Sequence, residues 1–290
     1  MAIRQEPRAV ASVVIPAHNE ARGISRLLKS LLEDTAASEL EIIVVCNGCT
    51  DDTAARARQA GPTVLVAETP IPSKRRALDT GDELAHYFPR IYVDADVEIS
   101  GRSIIALIAA LEKPDIHAVG PSRVLPTSAS SWLVTRYLAA WQQLPAVRNG
   151  LFGRGVVAVD AIGYGRVSRL PHVMSDDLAM SEAFSAAERE IVSDATVVVQ
   201  PPRRLRDLLR RRIRVHTGNS QFDDAGGRSE NAKTSLTDLV RIAFRSPGLA
   251  LDVGVFLAVT VMARIGARRT IKKGDYSTWL RDESSRAEAE

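Results

Sequence analysis

Short apolar runs recur through the first 115 positions, and the stretches between them carry helical periodicity. Ser12-Val13-Val14-Ile15-Pro16, Glu41-Ile42-Ile43-Val44-Val45, Thr63-Val64-Leu65-Val66-Ala67 and Ile91-Tyr92-Val93 read as buried strands. Between the first two, Ile24, Leu27, Leu28, Leu31 and Leu32 share one stripe of a helix over 21–33. Thr50 is expected to cap a second helix whose first turn holds Asp51 and Asp52, and 73–87 forms a third. Strands alternating with helices imply a mostly parallel sheet joined by right-handed crossovers. Ligands of such open sheets bind beyond the carboxyl ends of the strands, which gathers the loops at 16–20, 46–51 and 94–96.

One of those loops carries chemistry. Asp94-Ala95-Asp96 follows directly on Ile91-Tyr92-Val93, so a strand delivers two carboxylates, one residue apart, into a turn. Hard oxygen ligands suit Mg²⁺ or Mn²⁺, which commonly bridge protein carboxylates to substrate phosphates. Net charge is only +3, so nothing points to a nucleic-acid partner and none is expected. Basic residues are uneven, however, with seven arginines and one aspartate between 203 and 214. Cys46 and Cys49 are the sole cysteines; their spacing permits a redox pair, but a reducing, cytoplasmic setting is the simpler reading. Met1-Ala2-Ile3-Arg4-Gln5-Glu6 lacks the apolar core of a secretory signal.

The second half is less regular. A helix carrying Trp132, Tyr137 and Trp141, with both tryptophans read as half-buried core, precedes a glycine-rich turn at 149–155 and a strand at 156–159. Ser175-Asp176-Asp177 opens a helix to about 187, 191–199 returns as a strand, and an arginine-rich helix follows Pro201-Pro202. A polar loop spans 223–233. The apolar stretch 249–263, broken by Asp252 and Gly254, would rise about 22 Å as a helix, short of a ~30 Å hydrocarbon core. It is expected to pack on the domain, or to lie in a membrane interface with Arg264, Arg268 and Arg269 toward anionic lipid.

Six segments, in order, resemble family 2 glycosyltransferases, which have the GT-A fold. They are Val13-Val14-Ile15-Pro16-Ala17-His18-Asn19-Glu20, Asn47-Gly48-Cys49-Thr50-Asp51-Asp52-Thr53 and Lys74-Arg75-Arg76-Ala77-Leu78-Asp79-Thr80-Gly81, then Asp94-Ala95-Asp96, Ser175-Asp176-Asp177 and Arg211-Arg212-Ile213-Arg214-Val215-His216-Thr217-Gly218. The resemblance implies an α/β GT-A fold with a C-terminal helical extension. It implies a domain over 1–222, nucleotide-sugar-binding over 1–115 and acceptor-side over 116–222, followed by 223–290. It implies inverting, metal-dependent transfer of a sugar to an acceptor hydroxyl, with Mn²⁺ or Mg²⁺ as cofactor.

By the same resemblance the donor falls to Pro16, Ala17, Asn19, Glu20, Asn47, Asp51, Lys74 and Asp94, with Arg211 and Arg214, three apart on one helical face, as planar forks for pyrophosphate. Asp177 is the implied general base, with Asp176 beside it. The metal falls to Asp94 and Asp96, and His216 is a better candidate than His172 to complete its shell. A UDP-sugar is the favoured donor, but Asn47 stands where the family usually has an aspartate that reads uracil, and this departure leaves GDP- and TDP-sugars open. Val215 replaces the family's tryptophan, which argues for single transfer rather than processive synthesis. The acceptor is expected to be a glycan or lipid-linked, in cell-envelope or polysaccharide synthesis. Peripheral contact with the inner face of the cell membrane is a further expectation. The alternatives are a sugar-phosphate nucleotidyltransferase, or a nucleotide-sugar-binding protein without catalysis. The loop Pro16-Ala17-His18-Asn19-Glu20, acidic and free of glycine, disfavours the first.

Overall fold

The computed structural model describes residues 10–33, 39–170, 176–224 and 234–272. His172, Ser175, the polar loop from 225 to 233 and the tail beyond 272 lie outside them. In chain order the first elements are β1 (Ala11–Ala17), α1 (Ala21–Leu32), β2 (Leu40–Asn47), α2 (Thr53–Gln59), β3 (Val64–Thr69), α3 (Lys74–Leu84) and β4 (Arg90–Val93). There follow β5 (Val97–Ile99), α4 (Gly101–Ala110), β6 (Ala118–Val124), α5 (Trp132–Trp141), α6 (Pro145–Asn149), β7 (Val156–Val159) and α7 (Ala161–Val167). The last are α8 (Asp176–Glu182), β8 (Arg189–Val199), α9 (Leu205–Asp224), α10 (Leu236–Arg245) and α11 (Ala250–Lys272).

Two compact units cut across the linear boundaries expected at 115 and 222. One comprises Met1–Val124, Arg154–Arg169 and Phe184–Val199, the other Leu125–Gly153, Leu170–Ala183 and Gln200–Glu290. The first unit holds every strand, in a single sheet of order β3-β2-β1-β4-β7-β6-β8-β5. Pairings along β3-β2-β1-β4 are all parallel, as expected. Beyond β4 the sheet is mixed: β7 runs antiparallel to β4 and β6, β6 and β8 are parallel, and β5 is antiparallel to β8. All seven residues of β1 are buried, as befits a central parallel strand covered on both faces. Close packing sets the helix positions too: a Cβ on Gly81 of α3 would lie 2.3 Å from Val14 Cγ1.

Among the described residues the regular elements of the second unit are all helices, joined by turns and loops. Val134, Tyr137, Leu138, Leu144 and Val147 from α5, α6 and the turn between them meet Leu208 of α9, Leu239 of α10, and Val253, Phe256 and Val259 of α11 in one core. Tyr137 stacks on Phe256 at 5.2 Å between ring centroids. Asp252, buried within α11, is met by the Arg136 guanidinium at 3.3 Å.

Several boundaries differ from the sequence expectation for identifiable reasons. Thr50 does not cap α2: its N–H is taken by Asn19 Oδ1, and the helix begins at Thr53, where Asp51 accepts from the Thr53 N–H. The helix expected over 73–87 ends at Leu84, because Glu41 captures both the N–H and the ring Nδ1 of His86. The helix begun near 175 stops at Glu182, ahead of Arg189, which enters the β8 ladder opposite Ala118. The expected 15-residue apolar helix at 249–263 is wrong in length. Arg264, Arg268 and Arg269 favour helix as strongly as most apolar residues do, and α11 continues through them to Lys272, about 34 Å in all. Its stretch Pro247–Ile271 is therefore long and apolar enough to cross a membrane by length and composition, a test that core helices also pass. Trp132 is exposed, with Arg136 over its ring, whereas Trp141 is partly buried against the core. β5, β6, α4, α6, α7 and α10 were not expected, although Ser100 ahead of α4 and the Ser235–Asp238 capping box of α10 were available as helix-start signals.

Candidate active site

β2, β1 and β4 are adjacent and parallel, so the segments leaving them emerge along one edge of the sheet. Their polar residues are knitted together. Asn47, 3% exposed at the end of β2, donates its amide to the Ala17 carbonyl at 2.9 Å. Asn19 sits at a left-handed φ of 51°, a conformation asparagine tolerates, and holds Thr50 through the Thr50 N–H at 2.8 Å. The buried Glu20 donates its N–H to Thr53 Oγ1 at 2.8 Å, and Asp51 accepts from the Ala21 N–H that opens α1. Burial alone would raise the Asp51 carboxyl, but bonds from Thr53 and Ala21 outweigh it and hold the group below the usual carboxylate range. His18 Nδ1 meets the Asn47 carbonyl. Residues expected to touch a donor thus act first on each other, fixing the shape of both loops.

The Asp94-Ala95-Asp96 turn is located by two glycines that sequence reading overlooked. The Asp94 N–H donates to the Gly155 carbonyl at 2.7 Å, extending the β4–β7 ladder by one bond. Gly155 has φ +67°, and a Cβ there would fall 2.5 Å from Val97 Cγ1 and 3.3 Å from Asp94 Oδ2. On the other side, a Cβ on Gly23 of α1 would lie 2.6 Å from the Ala95 carbonyl oxygen, a rigid backbone atom. A glycine inside a strongly periodic helix was the available signal, since it disfavours helix by about 1 kcal/mol unless close approach needs it. Ala95 is buried, Asp94 half-buried and Asp96 exposed, so both carboxylates are accessible. Lys74, the first residue of α3, places its ammonium 2.8 Å from Asp94 Oδ1. Arg154, beside Gly155, is buried with a guanidinium bond to the Pro121 carbonyl, and burial brings its pKa down to about 10.

Two accessible carboxylates, one already facing a cation, fit a Mg²⁺- or Mn²⁺-type ion that takes one or two protein carboxylates and completes its shell with phosphate and water. Among the described residues no group of three or more His, Cys, Asp or Glu side chains is gathered for a metal. Cys46 and Cys49 are free thiols; burial, with Cys49 nearby, pushes Cys46 up to about 12, far from a reactive thiolate.

The remaining expected site residues belong to the helical unit. Asp177 in the first turn of α8 is oriented by backbone on both oxygens, accepting from the Gly153 N–H and the Leu178 N–H, each at 2.8 Å. Asp176 precedes it, half-buried. Arg211, Arg214 and His216 are half-buried along α9. Arg212 lies over the Tyr137 ring, 6.0 Å from its centroid.

Strand-end loops of this kind, beside a paired-carboxylate turn, suit a glycosyltransferase, and the family comparison shows that class. The model of Glycosyl transferase family 2 matches residues 12–169, more than half of the chain, and the chain belongs to that family. Solved structures agree on the architecture. The mannosyltransferase PcManGT from Pyrobaculum calidifontis, in complex with GDP-Man and Mn²⁺, is similar with a TM-score of 0.61 at 19% identity, over 94% of this chain and 83% of that one. Glucosyl-3-phosphoglycerate synthase from Mycobacterium tuberculosis, in complex with Mn²⁺, UDP-glucose and phosphoglyceric acid, gives a TM-score of 0.53 at 20% identity, over 77% and 81%. These likenesses establish the GT-A fold. A search of curated proteins returned no match.

Proposed function

We propose that the protein transfers a sugar from a nucleotide-sugar donor to an acceptor hydroxyl, with inversion, using the strand-end loops for the donor. The carrying observation is the hydrogen-bonded set Asn19, Glu20, Asn47 and Asp51 on the same sheet edge as Asp94 and Asp96. Glu20, Asn47 and the Pro16-Ala17 backbone are the groups for the nucleoside, with Asn19 and Asp51 bracing them. Asp94 and Asp96 would hold Mn²⁺ or Mg²⁺, which supplies neutralising charge to the departing diphosphate. Lys74, and the Arg211 and Arg214 forks, are the chain's own cations for that leaving group.

Asp177 is proposed to take the proton from the acceptor hydroxyl as it attacks the anomeric carbon, with Asp176 beside it. Backbone N–H donors at Gly153 and Leu178, which hold both Asp177 oxygens, support this role. Val215 at the family's tryptophan position supports transfer of a single sugar. Relatives of this fold bind GDP-Man and UDP-glucose; a UDP-sugar is the donor proposed here, with GDP- and TDP-sugars left open by asparagine at position 47. The proposed acceptor is a glycan or lipid-linked sugar of cell-envelope or polysaccharide synthesis. A cytoplasmic site of action suits the two free thiols.

Incubating the protein with UDP-, GDP- and TDP-sugars and Mn²⁺ tests this reading. Slow release of nucleoside diphosphate from one donor is expected. Release of pyrophosphate from a sugar phosphate and a nucleoside triphosphate would overturn it.

A further inference from the structure

We propose that α10 and α11 form a lipid-facing surface that seats the protein on an anionic bilayer, with both helices lying in the headgroup layer. α10 packs inward through Leu239, Ile242 and Ala243, and this leaves Leu236, Val240 and Phe244 outward at four-residue spacing. Phe244 is 83% exposed. After a single turn, Pro247–Leu249, α11 repeats the arrangement. Val253, Phe256 and Val259 enter the core, while Val261, Met262 and Ile265 face out. Apolar side chains in two successive exposed stripes are what an interfacial helix presents to acyl chains.

The charge around these stripes selects the occupant. Arg241, Arg245, Arg264, Arg268 and Arg269 are all exposed. From Leu236 to Ile271 the carboxylates are Asp238, engaged with Ser235 in the capping box that opens α10, and Asp252, 2% exposed and paired with Arg136. Beyond that first turn every exposed formal charge is positive, complementary to anionic headgroups. A second copy of the chain docked face to face about a two-fold axis would set arginines against arginines. Each arginine near an anionic surface strengthens binding about fivefold.

The helices lie in the interface and do not cross it. α11 is long enough to span, but its inner side is held in the core with α5 and α9. Ile213 of α9 lies 2.6 Å from where a Gly266 Cβ would be. Drawing α11 into hydrocarbon would strip that core or bring Arg210, Arg211, Arg212 and Arg214 with it.

The surface goes beyond the sugar-transfer reading and does not depend on it. Its test is co-sedimentation of the full chain with phosphatidylcholine vesicles, with and without phosphatidylglycerol, at low and high salt. Binding is expected to the anionic vesicles alone and to weaken with salt. Val240→Ser with Phe244→Ser should reduce it at least about tenfold. Arg264→Gln, Arg268→Gln and Arg269→Gln together should remove the preference for anionic lipid. Donor hydrolysis in solution should be unchanged in both variants. Absence of vesicle binding, or equal binding by parent and variants, would overturn the proposal while leaving glycosyl transfer standing. So would a dimer in light scattering that Phe244→Ser dissolves, which would assign the face to self-association.

Discussion

The strand-end loops of the sheet unit and the packed core of the helical unit hold their polar groups by different means. At the ends of β1, β2 and β4, carboxylates and amides bond chiefly to backbone N–H and C=O groups, and glycines let main chains approach closely. In the helical unit the buried charges lean on side chains: Asp252 on Arg136, Asp207 on Arg210. Backbone partners cannot swing away, so the first arrangement fixes atoms within narrow limits. Side-chain pairs tolerate repacking but leave a buried charge stranded when one member goes.

The sharpest way to separate the two regions is through catalysis. Asp96→Ala, in the sheet unit, should weaken Mn²⁺-dependent donor binding measured by titration calorimetry. Asp177→Asn, in the helical unit, should leave donor binding intact and slow transfer by about 10²–10⁴. Normal transfer by Asp177→Asn would show that the base lies elsewhere. Next in size, Arg136→Leu should destabilise the fold by about 2–3 kcal/mol in urea unfolding, less than for a fully buried pair because Arg136 is partly in water. Adding Asp252→Leu should recover most of that loss, as the helical unit's reliance on side-chain pairs requires.

Glycine substitutions should then divide along the same line. Gly23→Ala would meet the Ala95 carbonyl, and its ~1–3 kcal/mol of strain should outweigh a helix-propensity gain of ~1 kcal/mol and lower donor affinity as well. Gly254→Ala in α11 meets open space and should stabilise by about 0.5–1 kcal/mol. Thermal melting of the two variants checks the opposite signs.

A smaller effect concerns pH. Burial raises the Asp82 carboxyl to about 6, against the pull of Arg90 and the Tyr92 hydroxyl. Its folded form keeps the proton more tightly than the unfolded chain does, so its contribution to stability is complete below the ordinary value of 3.8 and is lost as pH climbs to about 6. Asp82→Asn should flatten that part of the stability profile.

Much of the sheet unit was legible in the sequence. Val13-Val14-Ile15 and Ile42-Ile43-Val44-Val45 are unbroken apolar runs that only a covered parallel strand explains, and turns that follow such strands inherit their position. Asp94-Ala95-Asp96 could be placed for that reason. Gly23 and Gly155 were missed because a close approach between distant segments leaves no periodic trace. Asn19, Asn47 and Asp51 were singled out as donor candidates, but their bonds to neighbouring loops depend on pairings that local pattern does not contain. The helical unit was read less well. α10 is short, and its exposed Leu236, Val240 and Phe244 carry the same letters as a core stripe. The end of α11 was misplaced because charge was taken as a stop, although arginine is a good helix former.

The Lys74–Asp94 contact carries a consequence for the resting enzyme. If Asp94 holds a divalent ion as proposed, its carboxylate would have to be shared with or released by the tethered Lys74 ammonium, which would then be left to meet a diphosphate.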